Sequence, residues 1–318
     1  MAIPSPSLSA DPRVAEVLVR RRRGSISGGV FRGLLMAALV MSLLFLLALI
    51  VDMLVEGQGV LLIRPVEFLT GNLNSNPALA GVWQGIRGTL MLALIVAVVA
   101  FPLGIAAAVY LEEYAGDTAY ARRVNINIRN LAGVPSIVYG LLGLTVFVKI
   151  LGADGQGGLT GGRTVISAGL TLAALVLPVV IITAQESLRA VPAGIREGAL
   201  ALGATRWETV RHHVLPAAAP GVLTGTVLSL ARAAGEAAPL LVVGAVTGVF
   251  FVGAQGFFEQ IFSGRFTALP MIIFSWARLP AGQGWNSLAG AASFVLLIMI
   301  VVVNGVAIYL RNRYEQKW

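Results

Sequence analysis

An arginine and a glutamate stand four positions apart in a strongly apolar stretch of this 318-residue chain, in the segment SLARAAGEAAPLL. A charge at the centre of a bilayer costs at least about 2.5–3.5 kcal/mol, so neither Arg232 nor Glu236 is expected to face lipid. On a helix, two residues with this spacing share one face and can pair. They form either a buried ion pair that fixes helix packing or, as we favour, a polar site on a path through the membrane.

Small residues recur at every fourth position on a neighbouring stripe of the same segment: Gly221, Gly225, Ser229, Ala233 and Ala237. Such a ladder lets two membrane helices approach closely. The sequence therefore predicts one stripe that packs tightly against another helix, beside a stripe that carries the two charges and meets a cavity.

The composition places these residues in an integral membrane protein. Apolar residues make up 57% of the chain and charged residues only 12%, whereas soluble globular proteins carry about a quarter charged residues. The net charge of +8 comes from arginines at the ends of apolar runs, which argues against nucleic-acid binding. The chain has no cysteine, so disulfides and cysteine-based metal sites are excluded. His212 and His213 are adjacent and cannot face one metal together.

Apolar runs of bilayer length predict an all-α protein with six transmembrane helices. Residues 1–30 are expected to form a disordered basic cytoplasmic tail, and residues 31–318 a transmembrane domain. The first run lacks a convincing cleavage site, so it is interpreted as a retained span rather than a signal peptide. The predicted spans cover about 33–54, 86–110, 131–151, 165–184, 217–249 and 287–310.

Basic residues set the expected orientation, since cytoplasmic loops are enriched in lysine and arginine. With the N-terminus inside, sixteen of the 23 lysines and arginines fall on the cytoplasmic side, six fall outside, and Arg232 lies within the membrane. Both termini are therefore predicted to be cytoplasmic.

The polar segment 187–216, between the fourth and fifth spans, predicts a cytoplasmic helical hairpin. Pro192 suits a first helical position. Ile195, Ala199 and Leu202 then fall near one face of the first helix.

A turn and a second helix are expected next. Gly203 tolerates the positive φ that ends many helices, and Thr205 with Glu208 fits a capping box. Trp207 then lies near the apex of a helix–turn–helix unit.

The hairpin resembles the EAA loop of ABC importer permeases, E-A-A-x3-G-x9-I-x-L-P, since this chain has EGA-x3-G-x9-H-x-LP. Gly198 stands where the second alanine is expected, and His213 where the isoleucine is. The resemblance implies a coupling helix that sits in a groove of an ATP-hydrolysing subunit. The implied coupling residues are Glu197, Gly198, Ala199, Gly203, Trp207, Leu215 and Pro216.

The charged segment resembles the R-A-x-G-E-x-A-P segment of PstA-type permeases of phosphate ABC importers. LAGVPSIVYGLLGL at 131–144, FTALP at 266–270 and NGVAIYLRNRYEQKW at 304–318 agree, so the resemblance covers roughly residues 80–318. It implies the type I ABC importer permease fold, with lipid around it in the inner membrane. On this resemblance, Arg232 offers a cation to a passing phosphate and Glu236 limits the strength of the site.

Partners also follow from the resemblance: a homologous C-type permease, a dimer of ATPase subunits and an extracytoplasmic phosphate-binding protein. An ATPase needs a phosphate-binding loop, G-x4-G-K-[ST]. The two lysines of this chain, Lys149 and Lys317, do not follow a glycine. ATP and Mg²⁺ are therefore expected on the partner, and this chain is predicted to bind no cofactor or metal and to be no enzyme.

Three alternatives stay open at this point. The same architecture could carry another oxyanion, sulfate or molybdate. The chain could be an ion-coupled secondary transporter that needs no ATPase, which would leave the hairpin unexplained. It could also be a signalling scaffold that reports phosphate status without moving phosphate.

Overall fold

The computed structural model describes residues 26–153, 158–245, 264–280 and 282–314, and every regular element in these ranges is helical. The helices are α1 (Ile26–Ile63), α2 (Pro65–Thr70), α3 (Trp83–Val109), α4 (Ala119–Ala132), α5 (Ser136–Gly143), α6 (Val165–Arg189), α7 (Ala193–Ala201), α8 (Arg206–Thr209), α9 (Leu215–Gly235), α10 (Ala238–Val243), α11 (Leu269–Trp276) and α12 (Trp285–Tyr314). Wider π-helical turns extend α3 through Tyr110–Tyr114, α5 through Leu144–Ile150 and α8 through Val210–Val214.

The chain divides into two compact units, residues 1–52 and residues 53–318. In the first unit, the side chains of α1 from Gly28 to Leu49 are exposed. Residues 1–25 of the predicted basic tail lie outside the described residues. The hairpin and the charged pair both belong to the second unit.

Five of the described helices are long and apolar enough to cross a membrane, and α4 together with α5 makes a sixth if that bent pair is one span. The prediction of an all-α protein is confirmed, and the predicted number of six spans is reached when α4 and α5 are counted as one bent span. The helices are longer than predicted at several ends; α1, for example, begins at Ile26 rather than near residue 33.

The third predicted span, 131–151, is not one straight helix. α4 and α5 meet at an angle of 101° around Gly133–Pro135. Proline has no N–H to donate and disfavours helical backbone in the residue before it, so the helix stops there. The Tyr139 hydroxyl donates to the carbonyl of Leu131 at 2.9 Å and bridges the bend.

The fifth predicted span, 217–249, is also interrupted. α9 ends at Gly235, and Glu236 has extended backbone with φ −80° and ψ 118°. α10 then begins with Pro239 in its first turn and ends at Val243, and the next residue, Gly244, has φ +105°. The prediction of one continuous helix through the charged pair is therefore wrong: Gly235 ends α9, and Pro239, three residues after Glu236, lies in the first turn of α10. Residues 246–249 of the predicted span lie outside the described residues.

The predicted close contact along the small-residue ladder is confirmed, and α6 is the helix on the other side. A β-carbon added at Gly221 would lie 2.6 Å from Ser187 Oγ. Ser229 and Ala233, further along the ladder, are buried. α6 also packs along α3, so it forms the centre of the bundle and α9 is seated directly on it.

Substituting Gly225 with alanine should destabilise the protein. The new β-carbon would lie 2.5 Å from Thr183 Cβ, an atom that cannot rotate away, so α9 and α6 would have to separate. Overpacking of this kind costs about 1–3 kcal/mol, which should lower the midpoint of thermal unfolding in detergent by about 2–8 °C. Gly59→Ala is the matched control, since nothing lies within 4 Å of its β-carbon. Equal midpoints for the two variants would contradict the close contact.

Candidate functional site

The hairpin between α6 and α9 has the predicted helix–turn–helix form. Pro192 is the N-cap residue of α7, one position earlier than expected. Gly203 in the turn has φ +88°, a backbone conformation that favours glycine. The backbone N–H of Glu208 donates to Thr205 Oγ1, and the Glu208 carboxylate accepts from the N–H of Thr205 at 2.8 Å. Local hydrogen bonds therefore fix how the second helix starts.

One face of the hairpin is packed and the other is open. Ala199, Val210 and Val214 are buried, whereas Leu202 is 91% exposed and Trp207 is 55% exposed. The prediction that Leu202 shares a face with Ala199 is wrong, because α7 ends at Ala201 and its periodicity does not extend to the next residue. The turn thus presents two large apolar side chains outward.

The other residues of the EAA-like segment occupy both ends of the hairpin. Glu197 and Gly198 are exposed on α7, while Leu215 and Pro216 are half-buried in the first turn of α9. Nothing lies within 4 Å of the position that a β-carbon at Gly198 would take. Glycine in place of alanine therefore removes no contact within the chain.

Two ion pairs attach the hairpin to the end of α3, and we call their four residues the clasp: Glu112, Glu113, Arg189 and Arg196. Arg189 donates to both carboxylate oxygens of Glu112, at 2.6 and 2.7 Å. Arg196 donates to Glu113 at 2.8 Å and also to the backbone carbonyls of Leu188 and Val191, each at 2.8 Å. Such forked arginine–carboxylate contacts are stronger and more directional than single ones.

The clasp is a feature that the sequence did not predict, because its acids and arginines lie far apart in the chain. The π-helical turn Tyr110–Tyr114 carries both acids, and one arginine ends α6 while the other lies on α7. Arg206 adds a contact to the same turn, 5.9 Å from the centre of the Tyr114 ring. The sequence offered one indication of these ion pairs: two adjacent acids, Glu112 and Glu113, and two arginines seven residues apart, Arg189 and Arg196.

The charged pair lies at the interruption between α9 and α10. Arg232 Nε is 3.3 Å from Glu236 Oε1, and the two side chains are 49% and 20% exposed. The contact is single and long, unlike the forked, short contacts of the clasp. The pair therefore does not resemble a buried bridge that holds helices together.

Arg232 and its neighbour Ala233 have opposite surroundings. Ala233 is buried in the core, whereas the guanidinium of Arg232 lies half open at the end of a helix within a predicted span. A cation at that depth is unfavourable in lipid. The open face of Arg232 must therefore meet water or another subunit.

The two interrupted helices pack against each other. A β-carbon added at Gly140 on α5 would lie 2.8 Å from Pro239 Cα and 3.0 Å from Val242 Cβ on α10. The segment LAGVPSIVYG therefore lies beside the segment GEAAP. The contact residue in the second segment, Pro239, is three residues beyond Glu236. Sequence patterns did not indicate this contact, because the two segments are far apart in the chain.

A cavity of about 450 Å³ lies on the other side of the interruption. Gly235 and Ala237 line it from the α9–α10 connection, with Phe274 from α11 and Leu297 from α12. Its lining is mostly apolar, with Ser293 as its one polar side chain, and includes neither Arg232 nor Glu236. It is unsuited to a hydrated oxyanion.

A single helix joins the two parts of the site. Pro216 closes the hairpin and Arg232 lies sixteen residues later, about 24 Å along the axis of α9. A tilt of the hairpin would therefore be transmitted to the surroundings of Arg232 through one continuous element.

This architecture is that of the membrane subunits of type I ABC importers. A bacterial alginate ABC transporter, solved in complex with a periplasmic protein that carries an alginate pentasaccharide, matches with a TM-score of 0.63 and 16% identity over 89% of this chain and 94% of that chain. The MetNI methionine ABC transporter in an inward-facing conformation matches with a TM-score of 0.54 and 16% identity, over 74% of this chain and 98% of that chain. Both likenesses establish the fold.

Residues 100–318 match the family described as binding-protein-dependent transport system inner membrane component. The chain belongs to this family and is a multi-pass inner membrane protein. The phosphate transport system permease protein PstA 1 of Mycobacterium tuberculosis is 36% identical over 232 residues, 73% of this chain and 70% of that protein. The PstA permease of Xylella fastidiosa is 33% identical over 235 residues, 73% of this chain and 76% of that protein.

Removing one member of the clasp should loosen the hairpin. In Glu113→Gln, Arg196 loses a partner whose side chain is only 9% exposed. A hydrogen bond to a charged group contributes about 1.5–3 kcal/mol, so amide hydrogen exchange in segment 193–214 should accelerate about tenfold or more.

The matched control is Arg122→Gln. Its ion pair with Asp117 is 60% and 84% exposed and should contribute almost nothing. Unchanged exchange in Glu113→Gln, or the same acceleration in both variants, would mean that the clasp does not hold the hairpin.

Proposed function

We propose that this chain is a transmembrane subunit of an ATP-driven phosphate importer and forms half of its translocation path. The observation that carries the proposal is the half-open guanidinium of Arg232 at a helix interruption within the membrane. Family membership and the phosphate permeases among its relatives support the choice of substrate. No feature of the described residues favours sulfate, molybdate or an ATPase-independent transporter.

In this proposal Arg232 offers phosphate a planar set of N–H donors, which suits phosphate oxygens better than a single ammonium does. Glu236 occupies part of that set while the site is empty, through its one contact at 3.3 Å. An arriving phosphate exchanges with the carboxylate, and the carboxylate returns as phosphate leaves. Competition of this kind keeps the anion from binding too tightly to be released.

Coupling to ATP is assigned to the hairpin. The exposed side chains of Leu202 and Trp207 form the surface that docks on one subunit of an ATPase dimer, where ATP and Mg²⁺ are bound. The clasp keeps the hairpin attached to α3 and α6 while α9 conveys its motion to Arg232. In this proposal, Glu197, Gly198 and the rest of the EAA-like segment have the coupling role.

A homologous C-type permease completes the path, and an extracytoplasmic binding protein delivers phosphate. We place the hairpin and both termini in the cytoplasm, on the basis of the excess of lysine and arginine on that side. The chain itself performs no hydrolysis in this scheme.

Gly203→Val should uncouple ATP hydrolysis from transport. A β-branched residue opposes the φ of +88° at this turn, at a cost of about 1 kcal/mol or more, and redirects α8. Labelled phosphate uptake by cells should fall severalfold or more while the amount of protein in the membrane stays the same. Gly194→Val is the control, because Gly194 has ordinary helical φ and open space around it. Normal uptake with normal ATPase association in Gly203→Val would disprove the coupling role.

Arg232→Gln and Glu236→Gln, made singly and together, separate a substrate site from a packing pair. If Arg232 meets the anion, Arg232→Gln should leave the complex assembled while phosphate uptake falls about tenfold or more, since a charged hydrogen bond contributes about 1.5–3 kcal/mol. Glu236→Gln should slow release instead. The double variant should remain poor in uptake.

Uptake is compared at matched membrane levels, with Arg32→Gln as a control for loss of an exposed arginine elsewhere. A packing pair predicts another pattern: each single variant fails to assemble, and the double variant recovers both assembly and uptake. Near-parental uptake in the double variant would therefore assign the pair to structure.

A further inference from the structure

α4 lies beside the end of α6. Asn125, in the middle of α4, accepts a hydrogen bond from Gln185 Nε2 at 2.8 Å, and α6 ends four residues later at Arg189. α4 also turns by 101° from the direction of α5. If α5 and α6 cross the bilayer, α4 runs along its surface at the depth where α6 leaves it.

The inner face of α4 packs against other parts of this chain. Ala121 is buried, and Val124, Asn125 and Ile128 are half-buried. Val124 and Ile128 pack on the apolar cluster that includes the hairpin. The remaining positions of this 14-residue helix form a second face that the hairpin does not cover.

That second face is basic. Arg122, Arg123 and Arg129 are all exposed. Arg123 and Arg129 form no ion pair with any residue in the described ranges, and the partner of Arg122 is Asp117, itself 84% exposed. Glu112 and Glu113, on the Tyr110–Tyr114 turn, are already held by the clasp.

Apolar side chains stand among these arginines. Ile126 is 58% exposed and Tyr120 is 67% exposed. Arginines with an exposed aliphatic side chain and a tyrosine between them can contact a membrane surface through headgroup charge and shallow apolar contact.

We infer that the outer face of α4 binds the phosphate groups of anionic phospholipids. Arginine pairs with phosphate oxygens through two parallel hydrogen bonds, and basic residues at a membrane surface favour anionic lipid. A lipid is the expected occupant because α5, which is predicted to cross the membrane, begins after a gap of only three residues. Arg129, in the last turn of α4, is therefore held at headgroup level by the chain itself.

This inference does not depend on which ion the protein transports, so its test uses lipid contact rather than uptake. The chain contains no cysteine, and a single cysteine at Asn127, one turn from Arg123, can carry a fluorophore. The full-length chain is reconstituted in phosphatidylcholine vesicles with a small fraction of nitroxide-labelled phosphatidylglycerol or of phosphatidylcholine with the same label. The ratio of quenching by the two lipids measures the preference at α4.

The parent should be quenched about fivefold more strongly by the labelled phosphatidylglycerol, the factor expected for one well-placed arginine. Replacing Arg122, Arg123 and Arg129 together with glutamine should bring the ratio close to one, and replacing them with lysine should preserve it. Arg129→Gln alone should give an intermediate ratio, and it serves if the triple glutamine variant does not fold. A fluorophore at Leu94→Cys, on an exposed face of α3, should show no preference.

Three results would overturn the inference. The parent could show equal quenching by both lipids, as expected if a protein partner covers this face. The preference could survive in the triple glutamine variant, which would locate it elsewhere. Excess inorganic phosphate at constant ionic strength could abolish it, which would identify a site for the free anion rather than for a lipid headgroup.

Discussion

The close contact between α9 and α6 is the constraint on which the rest of the structure depends. At Gly221 and Gly225, the side chains of Ser187 and Thr183 occupy the space that β-carbons would need. Between helices in a bilayer, apolar association gains little over contact with lipid, so the closeness of packing decides which helices pair. α9, which is seated on α6 in this way, carries the hairpin at one end and Arg232 at the other.

The interruption of α9 at Glu236 is possible because of what surrounds it. Unpaired backbone N–H and C=O groups at membrane depth are tolerated only where protein or water meets them. α5 and α10 pack there through Gly140 and Pro239, so the break lies against protein on that side. The carbonyls at the C-terminal end of α9 favour a cation, and Arg232 lies in that last turn. The packing that allows the break thus also favours a positive charge beside it.

The two sets of charges in the protein differ in geometry, in the direction that their proposed roles require. In the clasp, Arg196 makes several short bonds around a carboxylate that is 9% exposed, an arrangement that resists exchange with water. Arg232 makes a single 3.3 Å contact and is 49% exposed, so most of its N–H donors are left for another anion. A joint that must transmit motion needs the first geometry, and a site that must bind and release needs the second.

The sequence by itself determined the features that act over a few residues or through hydrophobicity alone. Apolar runs indicated where the spans lie but not where they are interrupted, Gly203 and the Thr205–Glu208 capping box specified the hairpin, and small residues at every fourth position specified a tight helix contact. Only the tertiary structure decided which segments meet. Glu112 and Arg189 are 77 residues apart, and no local pattern links them. The small-residue pattern continues to Ala237, although α9 stops at Gly235. Such a pattern shows which face of a helix is small, and it does not show where the helix ends. The end of the helix depends instead on the tertiary contacts, because its unpaired backbone groups must lie against protein or water.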